Sequence, residues 1–374
     1  MHRFSAKFLL SLATAGLLSV SLLTASAGVA AAGGPNNVAA AAQAVKTAEA
    51  LPHWQTPGAP INMSKLRGKK VWVLTSTLAV PFVADIVKGV QQAAKVAGWH
   101  LIVIDGQGDV AKWNNSLAEA VSEHAAAIIS VAASPVVMKT EMKKAQAAHI
   151  PLIDVLTADE ASPLVPGTYA HVSISFYRSG ELQADYVIAQ SKGKANVLIF
   201  GDNEFPGEVT RVQGMMHQFH TLCPGCHVTF QDTQVGSLAT QLPNLTQSLL
   251  RRNPSIRWVL PTYDAQALYI VPAIKQMGLA KTVHVVSSDA VTSNLIWVAH
   301  SNVQVADVGE PDVWTGWAAV DEIARAMLHL KPVNENIPLR MFTRQNLQGV
   351  SIGNENILFG GTFRSEYLKL WGLH

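Results

Sequence analysis

The chain has 374 residues with 28 Lys plus Arg against 26 Asp plus Glu, is 49% hydrophobic by residue, and is only 14% charged. That composition excludes a disordered chain, and the near-neutral balance with no basic block argues against nucleic acid as a partner. The length suits two domains of ordinary size, while two cysteines are too few for a disulfide scaffold or a four-thiolate zinc site.

Residues 1–27 read as a cleaved export signal. Arg3 and Lys7 precede an uncharged apolar stretch over 8–23, and Ala25-Ser26-Ala27 has the small-x-small pattern of a peptidase site. The apolar stretch falls short of the about 20 residues that a membrane span needs. Cleavage near Ala27 removes two cations and no acid, leaving a formal charge of zero. The mature protein is expected outside the cytoplasm. Residues 28–67 are rich in Ala and Pro and lack a regular apolar face. They read as a linker or a loosely docked arm, with weak helix propensity over 38–51.

From residue 70 a rhythm begins. Short apolar runs at 71–75, 101–104, 127–131 and 151–155 alternate with helical spacing at 82–97, 117–124 and 137–149. The same rhythm restarts with helices at 176–191, 209–222, 242–252 and 265–277. The strands between and after them fall at 195–200, 227–230, 258–261, 283–287 and 303–307. A strongly apolar helix follows at 314–330, and a loop-rich tail from 348 ends in Tyr367, Leu368, Leu370 and Trp371. Alternating βα units predict doubly wound parallel sheets, and two arrays predict two similar α/β lobes. Ligands of such sheets bind beyond the carboxyl ends of the strands.

Few motifs carry chemistry. Gly106-Gln-Gly-Asp-Val-Ala111 fits the dinucleotide fingerprint, but it follows the second strand instead of the first and reads as a plain turn. Cys223-Pro-Gly-Cys226 falls between a helix end and a strand, where the expected role is a local disulfide. The chain contains no G-x-S-x-G, H-E-x-x-H or P-loop. No catalytic residue, metal site or cofactor is expected.

The run over 73–105, containing Val80-Pro-Phe82, resembles the opening of type 1 periplasmic sugar-binding proteins, the substrate-binding components of ABC importers. Further matches follow in order: Ile150-Pro-Leu-Ile, Gly193-Lys-Ala-Asn-Val-Leu-Ile, Arg211-Val-Gln-Gly214, Tyr263-Asp-Ala-Gln-Ala-Leu and Val285-Val-Ser-Ser-Asp289. The resemblance implies two lobes joined by a three-segment hinge near Ser175, Val308 and Leu339. It assigns 68–174 plus 309–338 to the N-terminal lobe and 175–308 plus 339–347 to the C-terminal lobe, with 348–374 docking on a lobe. It implies a monomer that closes on a small molecule and delivers it to an ABC permease in the inner membrane. The alternative is a ligand sensor serving a chemoreceptor or histidine kinase.

By resemblance, Phe82 is the aromatic that stacks on a sugar face, Arg211 the multiple donor and Asp289 the acceptor. This chain departs from the family elsewhere. Val80 stands where sugar binders have Asn, Leu156-Thr157 where they have Asp-Arg, and Tyr263 where they have Asn. The loop Val131-Ala-Ala-Ser134 is also poor in polar groups. Each missing group removes a hydrogen bond worth about 0.5–1.5 kcal/mol. The expected ligand therefore has fewer hydroxyls than a common sugar, or an apolar or aromatic portion. The expected binding set is Phe82, Arg211, Asp289, Tyr263, Thr157, Ser134, Glu310 and Trp314.

Overall fold

In a computed structural model the structure describes residues 34–373, so the export-signal expectation for 1–27 lies outside the described residues. Helix α1 (Pro35–Ala48) precedes the first lobe. That lobe runs β1 (Lys70–Thr75), α2 (Pro81–Ala97), β2 (His100–Asp105), α3 (Val110–Ser122), β3 (Ala127–Val131), α4 (Lys139–Ala147), β4 (Leu152–Val155) and β5 (Ala170–Val172). The second runs α5 (Phe176–Gln190), β6 (Asn196–Asp202), α6 (Pro206–Leu222), β7 (His227–Thr233), α7 (Leu238–Arg252), β8 (Trp258–Pro261), α8 (Asp264–Gln276), β9 (His284–Ser288), α9 (Thr292–His300) and β10 (Gln304–Gly309). Next come α10 (Asp312–Met327), β11 (Arg340–Thr343), α11 (Arg344–Leu347), α12 (Glu355–Phe359) and α13 (Phe363–Leu370).

The protein is two α/β lobes. The first sheet is parallel, in the order β2-β1-β3-β4-β5. The second has the order β11-β10-β9-β8-β6-β7 and is parallel except for β11, which pairs antiparallel with β10 at Val308 and Met341. Each sheet is covered on both faces, which is why its strands read as continuous apolar runs. Helices α2 and α10 pack on one face of the first sheet through Ile86, Val90, Trp317 and Val320, and α3 and α4 cover the other through Leu117 and Met142. In the second lobe, α5 and α6 cover one face through Val187 and Met215, and α7 and α8 cover the other through Leu242 and Ile270. Strand order reverses between β1 and β3 and again between β6 and β8, so the loops leaving these strands diverge and open a crevice.

The chain passes between the sheets after β5, after β10 and before β11. Two further segments do the same. Helix α1 buries Ala41 and Val45 against the α5–α6 face of the second lobe, and the chain then crosses to the first lobe. There Trp54 stacks on Trp314, and the Ile61 N–H donates to the Leu370 carbonyl at 2.8 Å. The described part of the Ala- and Pro-rich segment is thus a docked arm. Its sparse apolar spacing hid this, because two small contacts suffice when the helix lies on a preformed surface.

The tail mirrors the arm. Leu358 and Phe359 of α12 pack with Leu295 and Phe342 of the second lobe, whereas Phe363, Tyr367 and Trp371 join the core of the first. Gly360 and Gly361 link the two helices, both in left-handed backbone, and a Cβ on Gly360 would meet the Pro52 carbonyl at 2.9 Å. Arm and tail therefore touch where each crosses. Cys223 and Cys226 form a disulfide that closes the turn between α6 and β7. Among the described residues no helix is long and apolar enough to cross a membrane.

Candidate functional site

A cavity of 340 Å³ lies between the lobes, at the carboxyl ends of both sets of strands. Two larger but shallower hollows, of 670 and 630 Å³, lie on outer surfaces. One is between α1 and the second lobe, and the other is beside Ile150 and His149 at the opposite end of the first sheet. Neither meets a switch point, so the interlobe cavity is the candidate site. The lobes close on each other at its edge, where the Gly207 N–H donates to the Thr157 carbonyl at 3.2 Å.

The first-lobe wall is built from Ser76 and Thr77 after β1, Val80, Phe82 and Val83 at the start of α2, Val110 and Trp113 of α3, Ala132, Ser134 and Val137 after β3, and Leu156 and Thr157 after β4. Its side-chain hydroxyls are those of Ser76, Thr77, Ser134 and Thr157, and the last three each make one hydrogen bond within the lobe. The Thr157 hydroxyl donates to the buried Asp154 carboxylate, which also binds His171 Nδ1. Ser134 accepts from the Val136 N–H as the cap of a short 3₁₀ turn, and Trp113 Nε1 donates to the Ser76 carbonyl at 3.2 Å. Ala132 and Leu156 hold left-handed backbone, with φ of 53° each. That conformation costs a residue bearing a Cβ free energy, and such strain concentrates where a surrounding site over-determines the backbone. The glycine loop at 106–111 is an ordinary turn. Gly108 has a φ of 70°, and Asp105 accepts from the Leu78 and Gln107 N–H groups.

The second-lobe wall is different in kind. Arg211, 0% exposed, lies in the second turn of α6, whose backbone comes close to α5 because Gly180 has no side chain. A Cβ there would meet the Arg211 carbonyl at 1.9 Å. Arg211 Nη1 donates to Glu208 at 3.0 Å, to Asp289 at 3.4 Å and to the Thr262 carbonyl, while its Nε and Nη2 have no protein acceptor. The guanidinium also lies over the Phe176 ring, 4.8 Å from the centroid. Asp289 follows β9 with a φ of 111° and accepts from the Asp264 N–H at 3.2 Å. Glu310, 2% exposed, sits in the passage from β10 to α10, and its Oε2 has no partner. Tyr263 turns its ring to the cavity and donates its hydroxyl to Asp202 at 2.7 Å.

Burial dominates the titration of this wall. It pushes Glu310 and Asp202 up to about 7 and Asp289 well above the carboxylate range, with Arg211 opposing the rise at Glu310 and Asp289. For Arg211 burial alone would depress the guanidinium, but Glu208, Asp289, Glu310 and Asp307 outweigh it and raise it.

The structure brings Phe82, Arg211, Asp289, Tyr263, Thr157, Ser134 and Glu310 around one cavity. Trp314 does not belong with them. It is 2% exposed in the first-lobe core, between Trp54 at 5.5 Å and Phe363 at 5.4 Å. Glu310 precedes α10 and faces the crevice, whereas Trp314 lies within the first turn of that helix, on the stripe that the arm and tail cover. Trp113, Phe176, Phe205 and Glu208 line the cavity without having been singled out from sequence. Phe205 and Glu208 lie in the loop and helix start after β6, where strand-end reasoning points. Trp113 lies one turn into α3 and reads as a core residue.

The model of the periplasmic binding protein domain matches residues 71–330, and the chain belongs to this family. Its members are extracytoplasmic binding proteins of transport systems. The ribose import binding protein of Bacillus subtilis (strain 168) is 22% identical over 296 residues, which cover 79% of this chain and 92% of the relative. The D-apiose import binding protein of Actinobacillus succinogenes is 28% identical over 211 residues, covering 55% and 65% respectively. Among solved structures, the 5-methylthioribose transporter solute-binding protein of Thermotoga lettingae, in complex with 5-methylthioribose, is similar with a TM-score of 0.68 and 20% identity. The match covers 81% of this chain and 93% of that one.

Proposed function

We propose that this protein is a solute-binding component of an ABC importer. It captures a small molecule between its lobes without altering it and presents the closed, loaded form, as a monomer, to a permease in the inner membrane. The ligand lays an apolar or aromatic portion on Phe82, Leu156 and the Tyr263 ring and a polar end on Arg211 and Asp289. One observation carries this reading. Arg211 is fully buried, yet two of its donor nitrogens lack acceptors, and the wall it faces offers hydroxyls but no charged side chain. The solved relative bound to 5-methylthioribose, a pentose bearing a methylthio group, supports the idea that this architecture accepts a sugar with an apolar arm.

A melting screen of the exported protein tests the proposal. Sparsely hydroxylated or aryl-bearing compounds are expected to stabilise it more than ribose, glucose or galactose do. Strong stabilisation by common pentoses or hexoses, with none by the first group, would overturn it. Mass spectrometry of bound compounds after incubation is expected to return them unchanged.

A further inference from the structure

We infer that the molecule accepted by this cavity carries a protonated amine. The inference rests on the reading of the cavity as a capture site and adds the ligand's charge to it.

The argument begins with a count of charges. Glu208, Asp289 and Glu310 face the cavity from α6, the end of β9 and the entry to α10, and Glu204 stands at its rim. Arg211 is the sole cation among the described lining residues. Behind this wall Asp202, Asp264, Asp307 and Asp312 are buried as well, and Asp312 Oδ1 has no partner. Arg211 Nη1 is already committed, since it reaches Glu208, Asp289 and a carbonyl. Glu310 is left with an oxygen that nothing in the protein meets.

A buried carboxylate without a counter-charge is costly, and the cost is relieved by taking a proton or by meeting a cation. The raised titration of Glu310 and Asp289 in the free protein is the first response. A cationic ligand supplies the second. The surrounding rings fit a cation too: Phe82, Phe205, Trp113 and Tyr263 line the space beside Phe176, whose ring Arg211 already covers, and aromatic rings attract positive charge. The unmatched Nε and Nη2 of Arg211 add a second requirement, an acceptor oxygen elsewhere on the same molecule. The class defined is a compact amino alcohol or amino sugar with an apolar portion.

Matched pairs differing only in amine against hydroxyl test this: 2-amino-1-phenylethanol with 1-phenyl-1,2-ethanediol, and glucosamine and galactosamine with their parent sugars. Calorimetric affinities at pH 7.5 are expected to favour the amine in at least one pair by tenfold or more. Glu310→Gln, which keeps the shape and removes the charge, is expected to cut that preference about tenfold without lowering the Tm of the free protein. Equal or better binding of every uncharged member overturns the inference, as does a preference unchanged in Glu310→Gln, or failure of every amine to bind. Binding of the diol or a sugar that Phe82→Ala weakens would leave capture in the cavity intact while the charge assignment falls. Binding insensitive to both Phe82→Ala and Glu310→Gln would count against capture in the cavity itself.

Discussion

The two walls of the cleft come from lobes of the same design, yet they divide the work of recognition. Both present loops beyond the carboxyl ends of their strands and both use left-handed backbone there, at Ala132 and Leu156 on one side and at Asp289 on the other. The first lobe fills its loops with Val80, Phe82, Ala132 and Leu156 and adds only uncharged hydroxyls at Ser76, Thr77, Ser134 and Thr157. The second gathers Glu208, Arg211, Asp289 and Glu310. A sheet's topology fixes where a ligand sits but leaves open whether area or charge holds it. One wall is suited to exclude water, and the less water a closed cleft holds, the more each charge on the other wall counts.

The contrast can be broken most severely at Arg211. In Arg211→Ala, Glu208 and Asp289 lose their ion-pair partner inside the protein. Removing one partner of a buried ion pair costs about 3–5 kcal/mol. A drop in Tm on the order of 10 °C is expected by calorimetry, and an unchanged Tm would show that the acids are already neutral. On the opposite wall, Phe82→Ala is expected to leave the fold nearly as stable, because Phe82 is only half-buried. It should weaken a ligand with an apolar portion by about 10- to 100-fold in titration calorimetry.

A pH series sharpens the comparison further. Burial raises Glu310, Asp202, Glu322 and Glu355 to about 7 and Asp307 and Asp185 to about 6. The folded state therefore holds more protons than the unfolded state in this range. The stability these groups contribute is complete below their unfolded values and is lost as pH rises through 6 and 7. The Tm of the free protein is expected to fall by several degrees between pH 5 and pH 8, and a rise would refute the account. The smallest effect is expected from Val80→Asn. It restores a polar group to the apolar wall at a helix cap position that suits Asn. Affinity for ribose or glucose is expected to improve by up to about tenfold, since one hydrogen bond contributes about 0.5–1.5 kcal/mol.

Much of this was legible in the sequence, for physical reasons. Parallel strands covered on both faces are uninterrupted apolar runs, so β1, β3, β6 and β9 stand out along the chain. Phe82, Arg211 and Asp289 stand out through ordered motifs at strand ends. What escaped has equally definite causes. Strand β5 has three residues, and β11 borrows its place from β10, so neither has a pattern of its own. Trp113 and Trp314 occupy similar positions early in their helices. Only the three-dimensional arrangement sends one ring to the crevice and the other beneath Trp54. The excess of carboxylates over cations is invisible in a chain whose net charge is close to zero, because the balancing lysines lie elsewhere.

The arm and the tail carry a mechanical consequence. Three chain segments near the middle of the molecule suffice for a hinge, but here five connections tie the lobes together, and the two extra ones belong to the ends of the chain. The span from Glu49, whose carboxylate takes the Thr343 hydroxyl at 2.7 Å, to Trp54 is short and anchored on opposite bodies. A fully extended peptide gains only about 3.3–3.6 Å per residue. The lobes therefore have a fixed length of tether on which to swing apart. Beyond it, either α1 must peel from the second lobe or Trp54 must leave its aromatic seat. The extremities of this chain set the travel of its jaws.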